Sequence, residues 1–332
     1  ALYSIIELAT AFSPNFTVFL ILRVIFGIAM GGEWGLGSAL AMEALPSNRR
    51  GLFSGLLQSG YNLGNLLAGL TLWLLFERIG WRGMFVIGAL PALLILYIRA
   101  HVPESAVWEA KAGERLALVG DAFVNAFKRY LPLFVYGILF MSAMNFMAHS
   151  LQDLYPTFLT IQRGFSPSVV GQLNSITAFG AICGGIFCGW FSQRIGRRYT
   201  IVIVALCALA LVPLWVFGAT FTMLALGGFA IQFAAQGAWG VIPAHLNEIA
   251  PPLARGTFPG FVYQLGNLIA SPVSNLIAWL AVTHFGSGSA PNYAQAMAVV
   301  ASISLVAVAV FALLGFIVRP ESRDESFNAI VS

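Results

Sequence analysis

The chain has 332 residues, of which 59% are hydrophobic and 9% are charged, and its formal net charge is +4. Soluble domains carry about 25% charged residues, so a water-soluble fold would lack the interior to bury this much apolar surface. The basic residues form neither a continuous patch nor a groove with interleaved aromatic residues, which excludes nucleic acid as a partner.

Apolar runs of about 20 residues recur along the chain, and each is long enough to cross roughly 30 Å of hydrocarbon as a helix. They predict an all-α membrane protein whose partner is the lipid bilayer. We predict ten spans, near residues 1–13, 17–44, 51–76, 82–99, 131–160, 166–190, 199–218, 222–249, 256–283 and 293–318.

The basic residues between the spans are distributed unequally over alternate loops. Thirteen fall in one set of loops and three in the other, which places the first set in the cytoplasm of a cell (inner) membrane protein. The thirteen are Arg49, Arg50, Arg99, Lys111, Arg115, Lys128, Arg129, Arg194, Arg197, Arg198, Arg255, Arg319 and Arg323, and the three are Arg78, Arg82 and Arg163. We predict an N-terminal bundle at 1–99, a cytoplasmic linker at 100–130, a C-terminal bundle at 131–320 and a cytoplasmic tail at 321–332.

Ionisable side chains inside spans cost free energy and are therefore functional candidates. Arg23 lies near the start of the second span, where it either attracts a carboxylate or couples to a proton, or extends its side chain to the outer interface. Glu7 and Glu33 are expected to be buried hydrogen-bond partners rather than carriers of a transported proton.

The richest polar cluster follows one face of the span at 131–160. At 100° per residue, Asn145, His149, Gln152, Asp153 and Thr157 fall within about 140° of the helix circumference. Such a stripe cannot face lipid, so it lines a cavity or a protein contact. His149 and Asp153, four residues apart, form a pair that can exchange a proton near neutral pH. The alternative is a hydrogen-bonded seam that only joins helices.

A smaller polar cluster occurs in the span at 256–283. Gln264 and Asn267 lie three residues apart on one face, where they either bind a ligand or provide ordinary amide packing.

The sequence repeats itself without a gap after a shift of 205 positions. Repeated six-helix halves are typical of secondary transporters whose substrate site lies between the halves. The matching residues are Gly32, Trp34, Gly35, Glu43, Pro46, Arg50, Gly51, Phe53 and Gly55, with Gly237, Trp239, Gly240, Glu248, Pro251, Arg255, Gly256, Phe258 and Gly260.

Residues 189–198 read GWFSQRIGRR, and this stretch resembles the cytoplasmic G-x-x-x-D-R-x-G-R-R signature of the major facilitator superfamily, with Gln193 at the acidic position. Its arginines are expected at the lipid headgroups, where they either pair with helix ends or only fix topology. In that family the loop is a latch between conformations, and the missing acid predicts a weaker one. The implied latch residues are Gly189, Arg194, Gly196, Arg197 and Arg198.

The superfamily fold has two pseudo-symmetric bundles of six helices, and the resemblance implies that this chain supplies helices three to twelve. Because the second half begins near residue 131, its counterpart would begin about 75 residues before Ala1. We therefore expect two further helices before the first span, and we expect these 332 residues alone to transport poorly.

Two further resemblances point to a substrate class. Residues 145–157, NFMAHSLQDLYPT, resemble the N-x-x-[ST]-H-x-x-Q-D-x-x-x-T motif of the Jen carboxylate permeases, with Ala148 in place of the hydroxyl residue. In those carriers a Gln and an Asn of the eleventh helix are linked to substrate choice, and Gln264 and Asn267 match their spacing. Residues 23–35, RVIFGIAMGGEWG, resemble the sialate:proton symporter branch, which includes bacterial lactate carriers.

These resemblances imply proton-coupled symport of a small monocarboxylate such as lactate or pyruvate. His149 and Asp153 would exchange the proton. The implied substrate-binding residues are Asn145, Gln152, Thr157, Gln264, Asn267 and Arg23. The alternatives are a symporter of sialic, aromatic or other organic acids, and a membrane sensor that keeps the carrier fold without transport. We expect a monomer. We also expect no catalytic site, metal or cofactor, because hydrolase and metalloprotease motifs are missing from the sequence.

Overall fold

The computed structural model describes residues 2–31, 33–43, 45–90, 124–251, 254–287 and 290–318. Nearly all of these residues are helical, which confirms the all-α prediction, and Ser287 and Ala290 form an isolated β-bridge. We label the main helices α1 (Leu2–Ala11), α2 (Phe16–Gly31), α3 (Glu33–Glu43), α4 (Arg50–Ala89), α5 (Leu131–Gln152), α6 (Pro167–Ile195), α7 (Arg197–Phe217), α8 (Phe221–Ile249), α9 (Phe258–Ala270), α10 (Val273–Thr283) and α11 (Tyr293–Val318).

The described helices follow the predicted spans closely. Seven segments are long and apolar enough to cross a membrane, while α1 is a shorter apolar helix, so the number of ten spans stays a prediction. The seven are Phe16–Met42, Leu131–Gln162, Pro167–Ile195, Arg197–Phe217, Phe221–Ile249, Phe258–Thr283 and Tyr293–Val318. The predicted tail and most of the predicted linker lie outside the described residues.

The observed helices differ from the predicted spans in the position of a break at two places. The expected loop between residues 76 and 82 is replaced by one non-helical residue inside α4, Gly80, whose φ of 61° glycine adopts without a steric penalty. The predicted span at 17–44 corresponds to α2 and α3, which belong to one apolar segment at Phe16–Met42. The span at 256–283 is divided into α9 and α10 at Ser271–Pro272, because proline cannot donate the helical hydrogen bond.

The parts of the chain before and after the predicted linker pack together through α3 and α4, which contact α6, α8 and α9. Glycines allow close approach at these crossings. A Cβ atom on Gly35 would lie 2.5 Å from the Cα atom of Gly260, and one on Gly51 would lie 2.5 Å from the carbonyl oxygen of Gly189. The backbones of the two parts therefore approach each other directly at these crossings.

Candidate functional site

The polar stripe predicted on α5 divides between two cavities. Asn145 and His149 line a central cavity of about 350 Å³, and Asp153 lines an outer cavity of about 480 Å³. Gln152 borders both cavities. Because α5 ends at Gln152, Thr157 lies beyond it in a separate helical turn and lines neither cavity. Four of the five predicted side chains thus share one connected region.

His149 is the centre of a hydrogen-bonded network that joins α5 to α9 and α10. Its Nδ1 atom lies 3.1 Å from Oδ2 of Asp153, and its Nε2 atom lies 3.0 Å from Oδ1 of Asn267. The hydroxyl of Ser274 donates to the same Asp153 oxygen at 2.7 Å. The structure therefore brings three predicted residues together and adds Ser274, which sequence reasoning missed.

The hydrogen-bond pattern of this network indicates which atoms donate and which accept. The amide oxygen of Asn267 can only accept, so Nε2 of His149 carries a hydrogen in this arrangement. The contact between Nδ1 and Asp153 then needs one further proton, which belongs to the pair and resides on either partner. Removing that proton would leave two acceptors facing each other across 3.1 Å. The contact geometry is compatible with one proton shared between His149 and Asp153.

Amide side chains from four helices, α4, α5, α8 and α9, surround the central cavity. Gln264 on α9 donates to the carbonyl of Gly31 on α2, so it spans the two parts of the chain. Asn145 donates to a backbone carbonyl one turn earlier in α5, at 2.8 Å. Gln152 donates to Oε1 of Gln232 on α8 at 3.1 Å. The predicted amides thus lie around one space, but each of these three already makes a bond within the protein.

One wall of the cavities was not predicted from the sequence. Gln232, Gln236 and Trp239 occupy positions i, i+4 and i+7 of α8, and Gln232 lines the outer cavity while the other two line the central one. Their helical spacing places them on a single face, which is the signal that could have identified them. Aromatic side chains close the central cavity at this wall, where Trp34 stacks on Tyr263 with ring centroids 4.5 Å apart.

Arg23, predicted to bind the substrate, lines neither cavity. Its guanidinium lies 2.9 Å from the carboxylate of Glu7 and donates to the hydroxyl of Thr10 at 2.6 Å. Glu7 is therefore a bonded partner, as expected, whereas Glu33 is exposed instead of buried. The described residues that line the two cavities include no arginine and no lysine. A bound anion would be held there by amides, hydroxyls and the His149 network.

The arginines of residues 189–198 lie in three different environments. Arg197 is fully buried and binds Glu248 through two hydrogen bonds of 2.8 and 3.0 Å. Arg198 is also fully buried, with its guanidinium over the ring of Phe316. Both side chains are therefore enclosed by protein, and their level relative to the headgroups stays a prediction. Arg194 alone of the three is exposed.

The same stretch contacts the beginning of α4. The side-chain oxygen of Gln193 accepts from the backbone N–H of Gly51 at 3.2 Å, and its nitrogen donates to the carbonyl of Ser47 at 3.0 Å. Gly189 crosses the backbone at Gly51, and Gly196, with a φ of 103°, separates α6 from α7. An amide therefore occupies the position of the acid; it donates to Ser47 and accepts from Gly51 and, at 2.8 Å, from the guanidinium of Arg197.

Known proteins resemble this chain over almost its whole length. The sequence model described as Major Facilitator Superfamily matches residues 1–220 and 138–329. The chain is 31% identical over 329 residues to the carboxylic acid transporter protein homolog of Saccharomyces cerevisiae, which covers 90% of this chain and 53% of that protein. It is 30% identical over 335 residues to the probable 4-methylmuconolactone transporter of Cupriavidus pinatubonensis, and this alignment covers 99% of this chain and 75% of that protein. It is 28% identical over 278 residues to the sialic acid transporter NanX of Escherichia coli, covering 82% and 67%.

Solved structures share the fold at lower sequence identity. The proton:xylose symporter XylE aligns with a TM-score of 0.71 at 19% identity, covering 100% of this chain and 81% of that one. FucP in its outward conformation aligns with a TM-score of 0.69 at 12% identity, covering 94% and 79%. The chain spans about half the length of the yeast relative and about four fifths of these two structures.

Proposed function

The chain belongs to the major facilitator superfamily, and from this premise we propose that it is a secondary active transporter that carries a small monocarboxylate, such as lactate or pyruvate, together with a proton. Family membership confirms the resemblance found at residues 189–198 and the expectation that the chain is a membrane transporter and not an enzyme. The printed names of relatives, which include carboxylic acid, sialic acid and muconolactone transporters, support an organic acid as the cargo.

The observation that carries the proposal is the proton-holding pair of His149 and Asp153 at the wall of a cavity without basic residues. A carboxylate that enters a low-dielectric site with no fixed cation pays a large desolvation cost. Arrival with one proton makes the pair of cargo ions electrically neutral, which lowers that cost. The proton would reside on the His149–Asp153 pair while the carboxylate binds the cavity amides.

Transport would proceed by rocking of the two bundles about the central cavity. The backbone crossings at Gly35 and Gly51 lie at the end that the loop charges assign to the cytoplasm. In this arrangement the cytoplasmic end is closed. Residues 189–198 would hold it closed through the contacts of Gln193 with Ser47 and Gly51, and the cargo would enter from the outer cavity. We further propose an inner-membrane location, cytoplasmic linker and tail, and a monomeric carrier.

The proposal is tested by uptake of labelled lactate into proteoliposomes that contain the full-length protein, with the two further helices expected before the first span, under an imposed pH gradient. A gradient of one unit can drive about tenfold accumulation if one proton moves with each anion. Asp153→Asn should abolish this accumulation but preserve lactate counterflow, because exchange of bound lactate needs no net proton movement. Glu33→Gln is the matched control, since it removes one negative charge from an exposed side chain outside both cavities. Unchanged gradient-driven accumulation by Asp153→Asn would remove Asp153 from proton coupling.

A larger organic acid is the second candidate, because the central and outer cavities adjoin through Tyr61 and Gln152. Relatives named for sialic acid and cis,cis-muconate transport agree with that size. Competition of lactate uptake by unlabelled sialate, muconate and nicotinate would rank these cargoes. A sensor would bind one of these acids and fail to accumulate it.

A further inference from the structure

Gln236 is a buried amide in the wall of the central cavity that the proposed mechanism does not yet use. The side chain is only 2% exposed, and it lies on α8 within the cavity lining. Its Oε1 atom accepts a hydrogen bond from Nδ2 of Asn62 on α4 at a distance of 3.4 Å. Its Nε2 group makes no hydrogen bond to another residue of the described chain. Both N–H hydrogens of Gln236 thus remain available for a ligand.

A carboxylate in this cavity needs such hydrogens, because the described lining residues offer no arginine or lysine. Among the lining amides, Asn145, Gln152 and Gln264 each use one N–H on a protein acceptor. Asn267 uses its oxygen for His149, which leaves its NH₂ group free. Gln58 likewise uses only its oxygen, for the indole N–H of Trp34, so Gln58, Gln236 and Asn267 are the three lining amides that keep both N–H hydrogens.

Gln232, one turn earlier on the same helix, shows the contrasting arrangement. Its Oε1 atom accepts from Gln152 at 3.1 Å, and its Nε2 atom donates to the carbonyl of Leu151 at 3.2 Å. Both ends of this amide are bonded to α5, so it fastens α8 to α5. Gln236 instead has its oxygen held and its nitrogen free, which is the orientation that an anion requires.

We infer that Gln236 binds the carboxylate of the transported acid through its NH₂ group, and that Asn62 is a positioning residue that holds this amide in the binding orientation. The inference rests on the proposed function, since it concerns the same cargo. Because Asn62 belongs to the part of the chain before the predicted linker and Gln236 to the part after it, the contact joins carboxylate recognition to the contact between bundles.

The test measures the binding of lactate and of lactamide to the purified full chain by isothermal titration calorimetry. Gln236→Glu replaces the NH₂ group by an oxygen of similar size and adds a negative charge. It should weaken lactate binding by about 100-fold, as expected for loss of a charge-assisted hydrogen bond together with added repulsion. Lactamide should bind this variant at least as well as the unaltered chain, because its own NH₂ group can donate to the new carboxylate.

Three variants separate this role from a structural one. Gln236→Met keeps the volume without charge and should weaken lactate binding by about tenfold. Asn62→Asp should turn the Gln236 NH₂ group towards the new carboxylate and weaken lactate binding by a similar factor. Combining Asn62→Asp with Gln236→Met should cause no loss beyond that of Gln236→Met alone. Gln172→Glu makes the same change as Gln236→Glu on an exposed face of α6 and should leave binding unchanged. Thermal unfolding of each variant checks that it is folded.

Equal lactate binding by the unaltered chain and by folded Gln236→Met would overturn the inference while leaving the proposed function intact. Equal losses of lactate and lactamide binding in Gln236→Glu would also overturn it, since they indicate a general defect. If the unaltered chain binds neither lactate nor any of sialate, muconate and nicotinate, the proposed function is overturned and this inference falls with it.

Discussion

The two repeat-related segments of the chain keep the same residues at the cavity wall but give them different bonds. Trp34 and Trp239 both line the central cavity, and both rings contact Tyr263. The indole N–H of Trp34 donates to Gln58 at 3.4 Å, whereas the indole N–H of Trp239 is buried without an acceptor among the described residues. The repeat thus preserves shape more faithfully than hydrogen bonding.

The glycines of the repeat show what is preserved. Gly35 crosses Gly260, and their counterparts Gly240 and Gly55 both lie against the backbone of Gly185. Close backbone approach depends only on a missing side chain, so both copies can retain it. Polar side chains need a specific partner, and that partner differs in each half. A functional role therefore cannot be transferred from one half to the other by alignment alone.

The largest expected effect of a substitution is at the ion pair between Arg197 and Glu248, where Glu248 is the repeat counterpart of Glu43. Arg197→Met should lower the free energy of unfolding by about 3 kcal/mol, because it removes a buried cationic partner of a buried carboxylate. Thermal unfolding in detergent would report the loss. Arg194→Met, at an exposed position of the same loop, should change it by less than about 0.5 kcal/mol. Equal stability of the two variants would contradict a structural role for the pair.

The glycine crossing gives the next largest effect. Gly55→Ala should destabilise the fold by about 2 kcal/mol and reduce uptake, because the new Cβ atom meets the rigid backbone of Gly185. Gly64→Ala, in the same helix but with open space around it, should be neutral or slightly stabilising. Unfolding midpoints and initial uptake rates of the two variants would test this. The prediction fails if both alanines behave alike.

The smallest effect sharpens the comparison between the two tryptophans. Trp34→Phe loses a hydrogen bond to Gln58 and should destabilise by about 1 kcal/mol. Trp239→Phe removes a buried donor without an acceptor among the described residues and should be neutral or stabilising. Unfolding curves recorded in parallel would measure the difference. A greater loss for Trp239→Phe would show that its N–H is bonded in solution.

The sequence predicted helices well because apolar runs of membrane length are a strong local signal. It also placed His149 beside Asp153, since helical periodicity alone sets that spacing. It did not predict the single-residue break at Gly80, because a glycine after a charged stretch equally fits a longer loop. The burial of Arg197 depends on Glu248, which is 51 residues away in sequence. Ser274 was missed for the same reason, as its bond to Asp153 depends on the third dimension.

The break at Ser271–Pro272 divides the partners of the proton-holding pair between two rigid segments. Asn267, which contacts His149, belongs to α9, whereas Ser274, which contacts Asp153, belongs to α10. A tilt of α10 about this joint would stretch the bond to the carboxylate and leave the bond to the imidazole in place. The two members of the proposed proton-exchanging pair therefore respond to separate helices, so under the proposed function the proton would be released by a movement of α10 that leaves the contact between α5 and α9 unchanged.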